Sequence, residues 1–212
     1  MKSYLIRPAG ALVLALALAS CGGGDDDKFT VAGVVSGIQY PGLVLQNNGG
    51  QDLAVPVPAK AGDDVTFSFP NKIEYGDTYS VAIKAQPAHQ TCQVSDLAPY
   101  SLSDTAGRLS SIDVRLSCAL KSYNIGGTIT GLTKDNTGLI ISNGTGGGFT
   151  PATDVLTAAV PFKYIVDVVP YNVTYGVVIV KQPVGRFCTV SNGVGVMGDA
   201  TVENININCV PA

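Results

Sequence analysis

Apolar and polar residues alternate with a period of two in several short stretches of this 212-residue chain. Thr66-Phe67-Ser68-Phe69, Tyr79-Ser80-Val81-Ala82-Ile83 and Ile112-Asp113-Val114-Arg115-Leu116-Ser117 each place their larger apolar groups on one side of an extended strand. Between such runs, rich in Val, Ile, Thr, Tyr and Phe, lie clusters of Gly, Asn, Asp and Pro. That spacing predicts an all-β sandwich. No segment after residue 21 has a helical period. The 25 glycines and 12 prolines supply turns and discourage helix.

The pattern occurs twice. Val31-Ala32-Gly33-Val34-Val35-Ser36-Gly37-Ile38 returns in kind as Ile125-Gly126-Gly127-Thr128-Ile129-Thr130-Gly131-Leu132. Tyr75, Tyr79, Gln86-Pro87 and Cys92 are matched 96 positions later by Tyr171, Tyr175, Gln182-Pro183 and Cys188. This register predicts two homologous domains, 29–119 and 123–212, joined by a few residues. At the same offset Ala82 and Lys84 become Val178 and Val180, so 176–180 is apolar on both faces. A strand covered on both sides is the expectation. The first domain is the expected cover, with a second chain or a local loop as the other sources, and Val178 and Val180 are the candidate contact surface. Burial of two valines stabilises by on the order of 3 to 6 kcal/mol.

The N-terminus follows a different pattern. Lys2 and Arg7 precede an uncharged Ala/Leu/Val run at 11–19, long enough for a signal segment and too short to span a bilayer. The run closes on Leu18-Ala19-Ser20-Cys21, which resembles the lipobox of bacterial lipoproteins. The resemblance implies a cleaved signal peptide at 1–20, an acylated Cys21 and membrane anchoring through lipid (palmitate among the acyl groups). Gly22 stands where an aspartate signals inner-membrane retention in that family, so the resemblance implies the outer membrane of a Gram-negative cell envelope. Residues 21–28 read as the lipidated cysteine and a flexible acidic tether. A calcium site in that acidic run is less favoured, since calcium needs six or more oxygens from a shaped loop.

Assigning Cys21 to lipid leaves four of the five cysteines. Of the three connectivities open to four cysteines, the local one, Cys92 with Cys118 and Cys188 with Cys209, keeps one disulfide in each half. Each bond stabilises its half by roughly 3 to 4 kcal/mol in the chain-entropy model. Reduced, buried cysteines would suit a cytosolic protein better. A zinc site has neither C-x-x-C spacing nor a second histidine to support it.

Ile73-x-x-Gly76-x-x-Tyr79-x-Val81-x-Ile83 resembles the corner and following strand of fibronectin type III and other immunoglobulin-like sandwiches, in which the tyrosine hydroxyl bonds back to the backbone. The second copy has Asn172 in place of Gly76, the two residue types that best tolerate positive φ. The order of signals also resembles prealbumin-like sandwiches, and both topologies stay open. As a whole each copy is similar to cysteine-paired repeats of bacterial surface and secreted proteins, a resemblance that implies no chemistry.

Charge and candidate chemistry change this picture little. Losing Lys2 and Arg7 from 13 basic residues leaves 11 against 16 acidic ones, a balance of −5 without the clustered basic residues that nucleic acid requires. His89, the single histidine, has no G-x-S-x-G nucleophile elbow to serve, and an exposed loop position beside a disulfide is expected. Gly144-Thr145-Gly146-Gly147-Gly148 lacks the Gly-Lys-Ser/Thr ending of a phosphate loop and reads as a plain loop. Asp63-Asp64 reads as a solvated turn. With no Trp, a sugar-stacking platform would need Tyr40, Tyr100 or Tyr164, for which packing is the expected use. The expectation is a membrane-anchored, non-catalytic structural or protein-interaction module of the envelope, with no metal or cofactor. Its partners would be the membrane and another envelope protein or glycan; a small-ligand or glycan-binding surface lipoprotein is the alternative, and an envelope enzyme is less favoured.

Overall fold

The computed structural model describes residues 28–95, 101–108, 111–144, 146, 148–152 and 160–212. The chain is all β, and no helix occurs among the described residues. The first half contains β1 (Val31–Ser36), β2 (Val44–Asn47), β3 (Gln51–Ala54), β4 (Val65–Ser68), β5 (Thr78–Ala85), β6 (Gln90–Val94), β7 (Ser103–Thr105) and β8 (Ile112–Leu120). Two four-stranded sheets, β4-β1-β8-β6 and β3-β2-β5-β7, enclose one core. Alternation builds it directly. Val31 and Val35 of β1, Phe67 of β4, Tyr79 and Val81 of β5, and Ile112, Val114 and Leu116 of β8 are all buried, while their neighbours in sequence are not.

The second half contains β9 (Ser122–Thr130), β10 (Ile140–Asn143), β11 (Phe162–Pro170), β12 (Thr174–Lys181), β13 (Arg186–Ser191), β14 (Val194–Val196) and β15 (Asn206–Pro211). Its sheets, β11-β9-β15-β13 and β10-β12-β14, have the same order as those of the first half, with a single bridge from Phe149 to Ile141 where β3 would stand. In both halves the first strand pairs in parallel with the last. The second core runs from Ile125 to Cys209 and shares no residue with the first.

Backbone conformation repeats as closely as topology. Positive φ recurs at Gly42 and Gly138, at Asn48 and Gly144, at Gly76 and Asn172, and at His89 and Gly185, each pair 96 positions apart. Asn172 (φ 63°) therefore takes the left-handed turn of Gly76 (φ 87°), as the Gly/Asn exchange predicts. The tyrosine-corner bond is absent among the described residues. Tyr79 and Tyr175 are buried, but it is the Tyr164 hydroxyl that donates to a main-chain carbonyl, that of Ile205, at 2.8 Å.

Both disulfides are local. Cys92–Cys118 joins directly opposed residues of β6 and β8, and Cys188–Cys209 does the same for β13 and β15. The recurring Gln-Pro has a structural cause. The Gln86 amide donates to the Cys92 carbonyl at 3.0 Å and accepts from the Cys92 N–H at 2.7 Å, and Gln182 makes the same pair with Cys188 at 3.0 and 2.8 Å. Each glutamine thus closes the turn leading into the disulfide strand, over a buried proline.

Candidate functional site

Lys121 is the only residue between β8 and β9. Its N–H donates to the His89 carbonyl at 2.9 Å and its carbonyl accepts from the Tyr171 N–H at 2.8 Å, so both of its peptide groups are held, one by each half. Around it the two halves meet through side chains. The His89 and Tyr171 rings stack with centroids 3.8 Å apart and planes 1° from parallel. Tyr40 meets both edge-on, at 5.0 Å from the imidazole and 5.6 Å from the Tyr171 ring. His89 Nδ1 lies 2.8 Å from the Asp199 carboxylate. Burial first, and the nearby negative charge of Asp199 second, hold the Tyr123 hydroxyl above its usual pKa.

Each member of this junction is positioned from its own half. The Gln90 side chain is fully buried, accepts from the Gln39 and Tyr40 N–H groups at 2.7 and 3.0 Å, and donates to the Gly37 carbonyl at 2.8 Å. That fixes Tyr40. Opposite, the turn after β11 exchanges backbone bonds with buried Met197, from Asn172 N–H to Met197 at 2.8 Å and from Met197 N–H to Val173 at 3.0 Å, which brings Asp199 beside Tyr171.

His89 is thus a half-buried junction residue, where the sequence predicts an exposed one. It keeps a left-handed conformation (φ 57°) that its counterpart Gly185 adopts without a side chain. Such a conformation costs a non-glycine residue roughly 1 to 2 kcal/mol. The stack and the carboxylate contact are what offset it. Tyr171 and Asp199 carry no sequence signal of their own; Tyr171 matches Tyr75, which is 73% exposed and lies against Gly107.

The expectation that the first domain covers Val178 and Val180 is overturned, and no described loop of the chain covers them either: they are 48% and 62% exposed. Their strand begins beside the junction and runs away from it, so at about 3.3 Å per residue Val180 stands roughly 20 to 30 Å along the chain from Tyr171. The first domain does not reach that far. Val194 and Val196 of β14 are exposed as well, opposite Gly176 and Thr174 of β12, and extend the same apolar face. The corresponding face of the first half is polar, with an ion pair between Lys84 and Asp52 that lowers the Asp52 pKa.

Of the remaining candidates, Asp63 and Asp64 lie exposed between a turn and β4, and the described glycines 144, 146 and 148 follow β10 in irregular structure. Tyr164 is a core residue, its pKa raised to about 12 by burial. Cys21 and Tyr100 lie outside the described residues. No group of three or more His, Cys, Asp or Glu among the described residues is placed to hold a metal ion.

The second half also contains a cleft of about 580 Å³ between β9, β11 and the segment before β15. Phe149, Phe162 and Tyr164 form its aromatic lining, with the Phe149 and Tyr164 rings stacked at 5.8 Å. No family model matches this chain, and no curated protein matches it.

Proposed function

We propose that this protein is a lipid-anchored structural module of the cell envelope, a two-domain spacer that holds its second domain at a fixed orientation to the first. The junction carries this reading. Linkers that leave domains independent are longer and solvated, whereas here one residue separates two strands, both its peptide groups are bonded, and three rings and an imidazole–carboxylate contact surround it. A chain with these contacts transmits orientation from one end to the other. The anchor rests on the lipobox resemblance at Cys21. Its acidic tether would set the first domain off the membrane, leaving the second outermost with its apolar β12–β14 face free for an envelope partner.

The anchor and the spacer are tested separately. A fatty-acid analogue should label the wild-type protein and not Cys21→Ser, and the variant should move from the detergent to the aqueous phase. Absence of label in the wild type removes the membrane assignment. For the spacer, His89→Gly with Tyr171→Ala should let the two halves tumble with separate rotational correlation times in NMR relaxation, while wild type tumbles as one body.

A further inference from the structure

We propose that the cleft of the second half is a binding site for a short neutral saccharide. It follows from a difference in strand pairing between the described residues of the two halves. In the first half, β1 and β8 stay paired through six consecutive positions, Val31↔Ile112 to Ser36↔Ser117, and β1 and β4 pair without interruption. In the second half β9 and β15 pair only at Ile129↔Ile207 and Thr130↔Asn208, beyond a lone bridge from Ile125 to Val202. Between these points Glu203 and Asn204 leave the ladder, and the Asn206 side chain takes the Thr128 N–H (3.2 Å) and hydroxyl (2.8 Å). On the other flank β11 carries a bulge between Ile165 and Asp167. Bulges re-aim side chains beside functional sites. Both of these border the cleft.

Its lining defines the ligand class. A volume of about 580 Å³ is in the range of small-molecule sites. Phe149 and Phe162, both half-buried, offer aromatic surface for an apolar face, backed by Tyr164, which is buried and fixed by its bond to Ile205. The Asn124 amide, the Thr201 hydroxyl, the Lys163 ammonium and the Glu203 carboxylate make no hydrogen bond or ion pair with the described residues. That set contains donor-only, acceptor-only and dual groups. A hydroxyl both donates and accepts, so a polyol satisfies all four, whereas a ligand of a single charge sign would satisfy one of the two opposite charges and oppose the other, which leaves a zwitterion as the rival. Apolar ring faces flanked by hydroxyls are the chemistry of a sugar.

The test is a ¹H–¹⁵N NMR titration of the mature chain carrying Cys21→Ser with chitobiose, cellobiose and maltose. At least one disaccharide should give saturable shifts at the Gly126, Gly127, Thr201 and Glu203 amides, with millimolar affinity. Asn124→Ala and Glu203→Ala, at surface side chains without protein partners, should each weaken binding about tenfold, or about 1.4 kcal/mol. Tyr171→Ala should leave the shifts intact, which separates failure of this site from failure of the spacer. No shift with any of the three, shifts mapping outside the cleft, affinity unchanged in both cleft variants, or stronger binding of glycine betaine to the same amides would each overturn the proposal.

Discussion

At the scale of single residues, the most economical device in this protein is a glutamine. Gln86 and Gln182 each satisfy both main-chain groups of a disulfide cysteine with one side-chain amide, which explains why Gln-x5-Cys recurs in step. Replacing either with leucine leaves an N–H and a carbonyl unmet beside the buried cysteine. The cost is roughly 1 to 3 kcal/mol. Chemical denaturation of Gln86→Leu should show it in the unfolding of the first half alone, and Gln182→Leu in that of the second half alone. Tyr164 gives a pH-dependent prediction. Its folded pKa is raised from 10 to about 12, so the folded chain keeps a proton that the unfolded chain releases. Stability from this group is full below pH 10 and is lost as pH rises towards 12, by roughly 2 to 3 kcal/mol in all. Tyr164→Phe should start about 1 kcal/mol less stable at neutral pH, because the Ile205 carbonyl loses its donor. Between pH 10 and 12 it should lose less than wild type; equal losses would contradict the assignment.

Elements were legible from the sequence where burial is one-sided. β4, β5 and β8 each have one face in the core, so alternation marks them, and the strand faces read from Phe67, Val81 and Val114 are those observed. The three-residue strands β7 and β14 are too short to carry a period. β12 misled for a different reason. Apolar residues on both faces imply cover only if the outer face has something within reach, and β12 runs away from the neighbouring domain. Val180→Lys should therefore change stability by less than about 0.5 kcal/mol and leave the domain junction intact, measured by thermal melting and NMR. The junction itself was not legible, because His89 and Asp199 are 110 residues apart and nothing local marks either. Of the cleft residues the sequence singles out only Tyr164, as an aromatic candidate; the rest are silent, since a broken ladder is a property of two strands together. Disulfides, in contrast, follow from counting and repeat position. Because each clips β6 to β8 or β13 to β15 within one core, replacing Cys92 and Cys118 with serine should lower the stability of the first half by roughly 3 kcal/mol. The melting of the second half should stay within error of wild type.

On the scale of the whole molecule, two separate cores are joined by one residue and a cluster of rings. His89→Gly separates the two roles of that position. It removes the strain of a left-handed histidine, so the first half should keep or gain stability, by up to about 1 kcal/mol. At the same time the stack on Tyr171 and the contact with Asp199 disappear, and orientation between the halves should loosen. Stability and rigidity would then move in opposite directions, which loss of fold cannot imitate. The central claim is that the wild-type halves keep one relative orientation in solution, and residual dipolar couplings measured on the mature chain test it most directly. A single alignment tensor should fit the backbone couplings of residues 29–119 and 123–212 together, and the fit should separate into two tensors of different magnitude in His89→Gly with Tyr171→Ala. Two distinct tensors in the wild type would show that the halves reorient independently and would contradict the account.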